Sequence, residues 1–531
     1  MPVRPFSRDL IWLLPPSLDE LVPQDHAARF VAAFVDGLSR AEWLQMGIDV
    51  DGEALGAPGY SARALLCVWV YGFLGGVRSA RKLEASCKEQ LPYRWLTGNQ
   101  FPDHNTLWRF YKDNRESMRK LLKRTVRTAV CVGLVDLAVQ ALDGSKIAGN
   151  ASSDRTYDRE GLEKLIKRTE EAIAELEGQN SGGEGPSLPH LPAKLAQEKV
   201  LREKVQAALE QVKALEQAKA EEEVKKSFRG RTAEERAKAK KAAKVEGKAE
   251  AKKQAAKNKA KKERVRINLT DEDTRLVKSR QGIVAGYNAQ AVVSPLKQGV
   301  AKRNGMLITA AEVVNDPDDH GQLVPMIELA KETTERDADK TLADGGFHSG
   351  ANLAECEVRG YRVLMPESSV RAIESPYHKD HFEYDAEADT YTCPHGEKLE
   401  FRSVKKRTDR PEARVYRAPV EKCRVCPAFG ECTKDAHQGR TVEVGPYEEE
   451  LRRHREAMAT EQAKEDYRQR KELIEPTFGI IKEQQGVRRF LLRGTENVRA
   501  EWTLLATAFN LRTLWRVWQQ WTPETRLALT Q

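Results

Sequence analysis

The sequence predicts an α/β protein with a helical N-terminal domain and two insertions in its core. Helical patterns fill residues 1–135, strand-like and helical runs alternate after residue 136, and two segments of different composition interrupt the alternation. The chain has 531 residues and is 40% hydrophobic, so it is long enough for two to four domains and apolar enough to bury large cores.

Residues 1–135 have the pattern of short helices joined by tight turns. The stretch SARALLCVWVYGFLGG has a capping residue at Ser61 and stops at two glycines, and the later stretch FPDHNTLWRFYKDNRESMRKLLKRTV is amphipathic and basic. This pattern fits a helix-turn-helix-like DNA-binding domain, with Lys120, Lys123 and Arg124 as candidate DNA contacts. A helical bundle with a solvated basic face fits the pattern equally well.

The net charge of +8 is concentrated in one segment. Residues 231–264 hold 14 Lys or Arg and five Asp or Glu, so this segment alone carries +9 and the remainder is close to neutral. Total charge therefore gives no case for a polyanionic partner. The chain has no run of about 18 uncharged apolar residues, and its first 20 residues reach Pro and acidic residues too early for a signal peptide. We therefore expect a soluble, intracellular protein.

The core pattern begins at residue 136. Three strand-like runs, LAVQALDGSKI, IVAGYNAQAVVS and GMLITAAEVV, precede the helical run DDHGQLVPMIELAKETTE. A strand at KTLADGGF, a helix at GANLAECEV and a strand at YRVLMPES follow. The core is therefore expected to comprise residues 136–160 and 266–368 and to resume with helices at 446–531.

The first insertion, residues 161–265, is highly charged. Apolar residues recur within it at alternating spacings of four and three, the repeat of a coiled coil. These residues are Leu201, Val205, Ala208, Val212 and Leu215. The pattern predicts an antiparallel helical hairpin followed by a flexible Ala/Lys tail, and disorder throughout residues 178–265 is the alternative.

The second insertion, residues 369–445, contains four of the eight cysteines. Thiolates at this spacing suit a tetrahedral zinc ion, with His395 able to replace one of them, and four buried or free thiols are the alternative. We expect a small β-rich module with structural zinc. The candidate zinc ligands are Cys393, Cys423, Cys426 and Cys432. The other cysteines are expected to be ordinary buried residues: Cys67, Cys87, Cys131 and Cys356.

Asp143 and Asp344 each end an apolar strand and precede a glycine. A simple turn explains this arrangement locally. Two carboxylates at the ends of neighbouring strands can also bridge a pair of divalent cations, the geometry for in-line displacement at phosphorus. A third acid would come from a helix: Glu475 lies among apolar residues, and Lys482 follows two helical turns later on the same face. Pro476 allows a break or a helix start there.

Five stretches along the chain resemble the DDE transposases of bacterial insertion sequences, particularly those with a Tyr-Arg-Glu-Lys signature. In order, they are LDGSKIAGNAS, GYNAQAVV, DDHGQL, LADGGFHSGANL, and IEPTFGIIK with GVRRFLLRG. The resemblance implies an RNase H-like core in which Asp143, Asp344 and Glu475 bind two Mg²⁺ or Mn²⁺ ions.

The resemblance also implies DNA phosphate contacts by Tyr467, Arg470 and Lys482. The usual signature has three residues between its Arg and its Glu, whereas four residues separate Arg470 from Glu475 here. One extra residue turns Tyr467 and Arg470 by about 100° relative to Glu475 on an ideal helix, so Lys482 is the safer assignment.

These features together predict a transposase. It would bind the terminal inverted repeats of its element through the N-terminal helices, act as a homodimer on DNA, and cut and join strands into target DNA by two-metal phosphoryl transfer. The resemblance places it in the bacterial cytoplasm with the nucleoid. The alternative is a catalytically inactive, transposase-derived DNA-binding protein, and the presence of all three acids favours the enzyme. A coiled-coil assembly protein would explain only residues 160–265.

Overall fold

The computed structural model describes residues 17–50, 59–181, 191–228, 265–279, 282–299, 305–367, 375–406, 411–435 and 437–521. A mixed β-sheet lies at the centre and carries helices on both faces, and a second, antiparallel sheet is built from the Cys-rich segment. This arrangement confirms the predicted α/β class.

Helices occur along the whole described chain. The first group is α1 Leu18–Leu21, α2 Ala27–Asp36, α3 Arg40–Met46, α4 Ala62–Leu74, α5 Ala80–Glu89, α6 Leu91–Leu96, α7 His104–Met118 and α8 Lys120–Cys131. The second is α9 Arg159–Ser181, α10 Leu191–Phe228, α11 Leu323–Thr334, α12 Gly350–Arg359, α13 Val420–Arg424, α14 Glu448–Ala459, α15 Glu461–Gly479 and α16 Thr495–Trp518. Helix α4 begins directly after Ser61, as predicted.

The strands of the first part of the chain are β1 Gln140–Ala148, β2 Thr156–Asp158, β3 Arg266–Asn268, β4 Arg275–Ser279, β5 Gly282–Pro295, β6 Met306–Val314, β7 Thr341–Ala343 and β8 Val363–Leu364. The central sheet has the order β4–β5–β1–β7–β8, with β6 also paired to β5. β4, β6 and β1 lie antiparallel to β5, whereas β7 is parallel to β1 and β8 is parallel to β7. This mixed sheet is consistent with an RNase H-like core.

Both faces of the sheet are covered, which explains why β5 is buried over most of its length. On one face, Ala141 and Ile147 of β1 pack with Ile474 of α15 and Trp502 of α16. On the other face, Leu142 belongs to a second cluster that is formed with α11 and α12. Successive residues of a strand point to opposite faces, so Asp143 faces α15.

The N-terminal helices share one hydrophobic core with the sheet and α16. The cluster runs without a break from Ala28 of α2 to Trp518 of α16. Helix α16 packs against α2, α4, α7 and α8 as well as β6, and is buried on nearly all sides. Residues 17–135 are therefore not packed around a core of their own.

Cys131 is exposed, so the expectation that it is buried is wrong. It ends α8 two residues after the buried Ala129, which places it on the opposite side of the helix. Cys67, Cys87 and Cys356 are buried as expected.

The first insertion contains the predicted helical hairpin, formed by α9 and α10 above the β2–β3 pair. Val205, Ala208 and Val212 are buried in its small core, whereas Leu215 is 39% exposed. Residues 191–228 form helix α10. The predicted Ala/Lys tail, at 229–264, lies outside the described residues.

The Cys-rich segment forms an antiparallel sheet. Its strands are β9 Glu383–Asp385, β10 Thr390–Thr392, β11 Lys398–Lys405, β12 Ala413–Arg417 and β13 Thr441–Val444, in the order β13–β12–β11–β10–β9. Phe382, Leu399 and Tyr416 are buried in a core that belongs to this module alone. The chain then enters α14 and α15.

Candidate active site

Asp143 and Asp344 lie side by side in the central sheet. Leu142 of β1 is in register with Ala343 of β7 in the parallel pair; Asp143 is the next residue of β1, and Asp344 directly follows the end of β7. The Gly144 amide donates to Asp143 Oδ1 at 2.8 Å, and the Gly346 amide donates to Asp344 Oδ1 at 3.0 Å. Parallel pairing therefore brings together two carboxylates that are 201 residues apart in sequence.

Arg470 of α15 joins the two carboxylates. Its Nη2 atom lies 2.9 Å from Asp344 Oδ2 and 3.5 Å from Asp143 Oδ2. The Arg470 side chain is only 8% exposed, so this contact takes place largely out of water. One guanidinium thus partly neutralises two acids, and the three groups together keep a net charge of −1.

The two carboxyl groups are in different electrostatic environments. Burial raises the pKa of Asp143 to about 6, against the lowering influence of Arg470 and the Gly144 amide. Burial also acts to raise the pKa of Asp344, but the hydrogen bonds from Gly346 and Arg470 outweigh it and leave this pKa below its ordinary value. Burial raises the pKa of Tyr467, and the charges of Arg470 and both aspartates act on it as well.

Glu475 is exposed on α15, and within the described part of the chain no hydrogen bond or ion pair joins it to either aspartate. Five residues along an α-helix correspond to a rotation of about 140°, so Arg470 and Glu475 point in different directions. Lys482 lies in a π-helical turn, Ile480–Gln484, with its Nζ atom 5.9 Å from the centre of the Phe478 ring. The structure therefore brings Asp143, Asp344 and Arg470 together and leaves Glu475 outside this contact.

The helix has a weak point directly after Glu475. Pro476 lies inside α15, where proline removes one backbone hydrogen bond, and the π-helical turn follows within four residues. Helices bend at such features.

Asp319 is a fourth polar residue of this region that the sequence reasoning did not single out, although the quoted motif DDHGQL contains it. Its Oδ1 atom accepts hydrogen bonds from Lys146 Nζ at 3.0 Å, Asn288 Nδ2 at 2.7 Å and Gln290 Nε2 at 2.6 Å. A Cβ atom at Gly144 would lie closest to Gln290 Nε2 and 2.7 Å from the same Asp319 oxygen. The glycine after Asp143 is therefore required by the close approach of Gln290 and Asp319.

Lys120, Lys123 and Arg124 have partners within the protein. Lys120 Nζ donates to the Gln45 carbonyl, Lys123 Nζ lies 2.8 Å from a carboxylate oxygen of Glu332, and Arg124 donates to the Gly37 carbonyl at 3.3 Å. These contacts tie α8 to neighbouring elements. They do not leave the three side chains free on the surface.

Four cysteines surround one small cavity of about 30 Å³ in the Cys-rich module: Cys393, Cys423, Cys426 and Cys432. The Glu397 amide donates to Cys393 Sγ at 3.4 Å and the Arg440 amide donates to Cys423 Sγ at 3.3 Å. Burial raises the pKa of Cys432, the charge of Arg440 acts to lower it, and the three other thiols act to raise it.

Within the described residues, no group of three or more His, Cys, Asp or Glu side chains is arranged to hold a metal ion. None of the helices there combines the length and the apolar character needed to cross a membrane.

Two protein families match parts of this chain. Residues 16–113 match a family described as Transposase domain (DUF772), and residues 392–515 match one described as Transposase DDE domain. The second range includes Glu475 and the four clustered cysteines, whereas Asp143 and Asp344 lie outside both ranges. No curated protein and no solved structure matches the chain.

Proposed function

We propose that this chain, which its two domain matches indicate to be an insertion-sequence DDE transposase, cuts and joins DNA strands at Asp143 and Asp344, with Glu475 as the third acid. DNA is the partner that the family implies, and we place the protein with the DNA of the nucleoid. The single observation that carries the catalytic proposal is the pairing of β1 with β7, which sets the carboxylate of Asp143, inside β1, beside that of Asp344, directly after β7.

The donor atoms are of the type that divalent cations prefer, although Asp143, Asp344 and Glu475 are not grouped around a common point in this structure. Carboxylate oxygens are the ligands that Mg²⁺ and Mn²⁺ prefer, and the net negative charge of the Asp143, Asp344 and Arg470 cluster attracts cations. Asp143, Asp344 and Glu475 would hold the ions. When bound, such cations supply activation of a water or a 3′-hydroxyl for attack at phosphorus.

Arg470 acts in this proposal as a counter-charge that bound cations replace. Its guanidinium holds the two carboxylates together and can turn toward a DNA phosphate once it leaves them. Glu475 reaches the same point only if α15 bends or turns, and Pro476 with the following π-helical turn gives the helix a place to do so. Tyr467 and Lys482 complete the proposed phosphate contacts on this helix.

End binding is assigned to the N-terminal helices, whose residues 16–113 match a transposase domain. Lys120, Lys123 and Arg124 remain candidate contacts, but binding through them requires their side chains to leave Gln45, Glu332 and Gly37. We propose a homodimer on DNA, because two ends must be brought together.

The test of the catalytic proposal compares Glu475→Gln with Glu472→Gln, a matched change at an exposed glutamate on the same helix. Nicking of end-containing DNA is measured in Mg²⁺ and in Mn²⁺, and binding is measured in parallel. We expect the Glu475 variant to lose more than about 100-fold in nicking and to keep its affinity for DNA. Wild-type nicking by this variant would remove Glu475 from the site. Binding without nicking by the wild-type protein would instead identify an inactive DNA-binding protein.

We also propose structural zinc in the Cys-rich module. The side chains of the four cysteines line one cavity, and backbone amides donate to two of the sulfurs, which favours their thiolate form. The four side chains are not arranged to hold a metal ion in this structure, so zinc binding would require the sulfurs to move closer together. Metal analysis of protein purified without chelator should give about one zinc per chain for the wild type and for Cys131→Ser, and close to none for Cys423→Ser with Cys426→Ser. A wild-type content near zero would leave four free thiols.

A further inference from the structure

The loop at residues 486–494 exposes three arginines next to α15, the helix that carries Glu475. Its sequence is GVRRFLLRG, and it connects the π-helical turn after α15 to the start of α16. Val487 and Phe490 are fully buried, whereas Arg488, Arg489 and Arg493 are exposed. Two apolar anchors thus fix the loop while its basic side chains face water.

A buried ion pair holds the main chain of this loop. Arg78 Nη1 lies 2.6 Å from Glu501 Oε1, and the two side chains are 9% and 2% exposed. Arg78 also donates to the carbonyls of Arg489 and Gly486, at 3.2 Å and 3.4 Å. Glu501 accepts from the amides of Leu491 and Leu492, at 3.0 Å each. The loop conformation is therefore set by one residue from the N-terminal region and one from α16.

The buried ion pair between Arg78 and Glu501 is better explained by the position that it gives the loop than by stability. Burying two charges carries a desolvation penalty that their attraction repays only with good geometry, so a buried pair is weak evidence for stability alone. Here its hydrogen bonds go to the backbone of an exposed basic loop. A loop that is already ordered loses little conformational entropy when it binds a partner.

The loop also lies on the strand that carries Asp143. The Phe490 amide donates to the Ala148 carbonyl at 2.9 Å, and Asn150 Nδ2 donates to the Leu491 carbonyl at 2.8 Å. Ala148 is five residues beyond Asp143 on β1, which is roughly 16 Å at about 3.3 Å per residue. Each strand of a DNA duplex carries one charge per about 3.4 Å of its axis, so this distance spans about five base-pair steps.

We infer that residues 486–494 form a preformed loop that binds the DNA backbone. Arg489 and Arg493 contact phosphates of a duplex whose reacting phosphate lies at Asp143. Arg78 and Glu501 are the residues that position the loop. Arg489 is the strongest candidate because its guanidinium has no ion-pair partner within the described ranges. Arg488 already pairs with Glu483 at 2.7 Å, and Arg493 donates to the Asn150 carbonyl through Nε. This inference rests on the proposed DNA-cutting function.

The test measures the affinity of the full chain for duplex DNA over a series of salt concentrations. The variants are Arg489→Ala and Arg489→Lys, and the control is Arg336→Ala, which removes an exposed arginine near the opposite end of β7. Each lost phosphate contact lowers the slope of log affinity against log salt by about 0.9, so Arg489→Ala should lower it by about one. Arg489→Lys should keep the wild-type slope, because it keeps the charge.

The loss should be the same for end-containing and unrelated duplexes, since phosphate contacts read no sequence. Unchanged melting of the Arg489→Ala protein separates a lost contact from a damaged fold. If Arg489→Ala binds like Arg336→Ala while the wild type binds normally, the loop is not a DNA contact and the proposed function stands. If the wild type shows no salt-dependent DNA binding, both fail. If the slope falls but the wild type does not nick DNA, the loop is a DNA contact, whereas the catalytic proposal and the placement of a reacting phosphate at Asp143 fail.

Discussion

Replacing Glu501 by Gln tests how much the buried ion pair contributes to the order of the arginine loop. The change keeps the shape of the side chain and one acceptor oxygen, but it leaves Arg78 without a counter-charge at 9% exposure. Unit charges about 4 Å apart attract by about 4 kcal/mol at an effective dielectric constant of about 20. Removal of one member of a buried pair typically costs about 3–5 kcal/mol, so both arguments give the same magnitude.

The expected result is local opening of the loop, which hydrogen exchange of the Leu491 and Leu492 amides measures directly. A loss of about 3–5 kcal/mol corresponds to an increase of roughly two to three and a half orders of magnitude in their exchange rates, up to the limit set by global unfolding. Glu496→Gln is the matched control, because Glu496 pairs with Arg499 on the same helix but is 69% exposed. An exposed pair contributes about 0–1 kcal/mol, so this control should change exchange little.

The reasoning would be refuted if Glu501→Gln raised the exchange rates of these amides by less than about fivefold, which is below about 1 kcal/mol. The double variant Arg78→Met with Glu501→Gln gives an internal check. Because it removes both charges but keeps an oxygen at position 501 that can accept from the Leu491 and Leu492 amides, it should restore part of the protection that the single change loses.

Two further predictions concern the region around the aspartates. Burial lowers the pKa of His348 and of His454, whose ring centres lie 5.6 Å apart, so the unfolded chain takes up protons first as the pH falls below the ordinary value of 6.5. The stabilisation from the two neutral histidines is therefore full above that pH and decreases below it, so the melting temperature should fall between about pH 7 and pH 5.5. The double variant His348→Asn with His454→Gln should show a smaller fall. An equal fall in the double variant would contradict the assignment to these two histidines. Asp319→Ala removes the acceptor of the Gln290 amide and the shorter of the two hydrogen bonds that the Asn288 amide donates, and an unpaired buried donor costs about 1–3 kcal/mol. Melting temperature and nicking rate should therefore both drop while DNA affinity holds, and equal behaviour of the exposed control Asp318→Ala would argue against a positioning role.

The sequence by itself determined the elements and the position of Asp344 at the end of its strand. Apolar periodicity over a few residues specified β1, β5, β6 and β7. Asp143 was expected at the end of β1 but lies inside it, because β1 continues to Ala148 in its pairing with β5. The heptad spacing likewise specified the α9–α10 hairpin. Such features are local, because a strand or helix is encoded by neighbouring residues.

Only the tertiary structure decided which charged groups meet. Arg470 contacts Asp143 across more than 300 residues, and the signature spacing alone gave no reason to expect Arg470 between the aspartates with Glu475 exposed. Lys123 looked like a DNA contact on a basic helix, yet it pairs with Glu332 of α11. A charged residue in a sequence does not reveal whether it faces water, a ligand or a distant side chain, because that depends on how separately encoded elements pack.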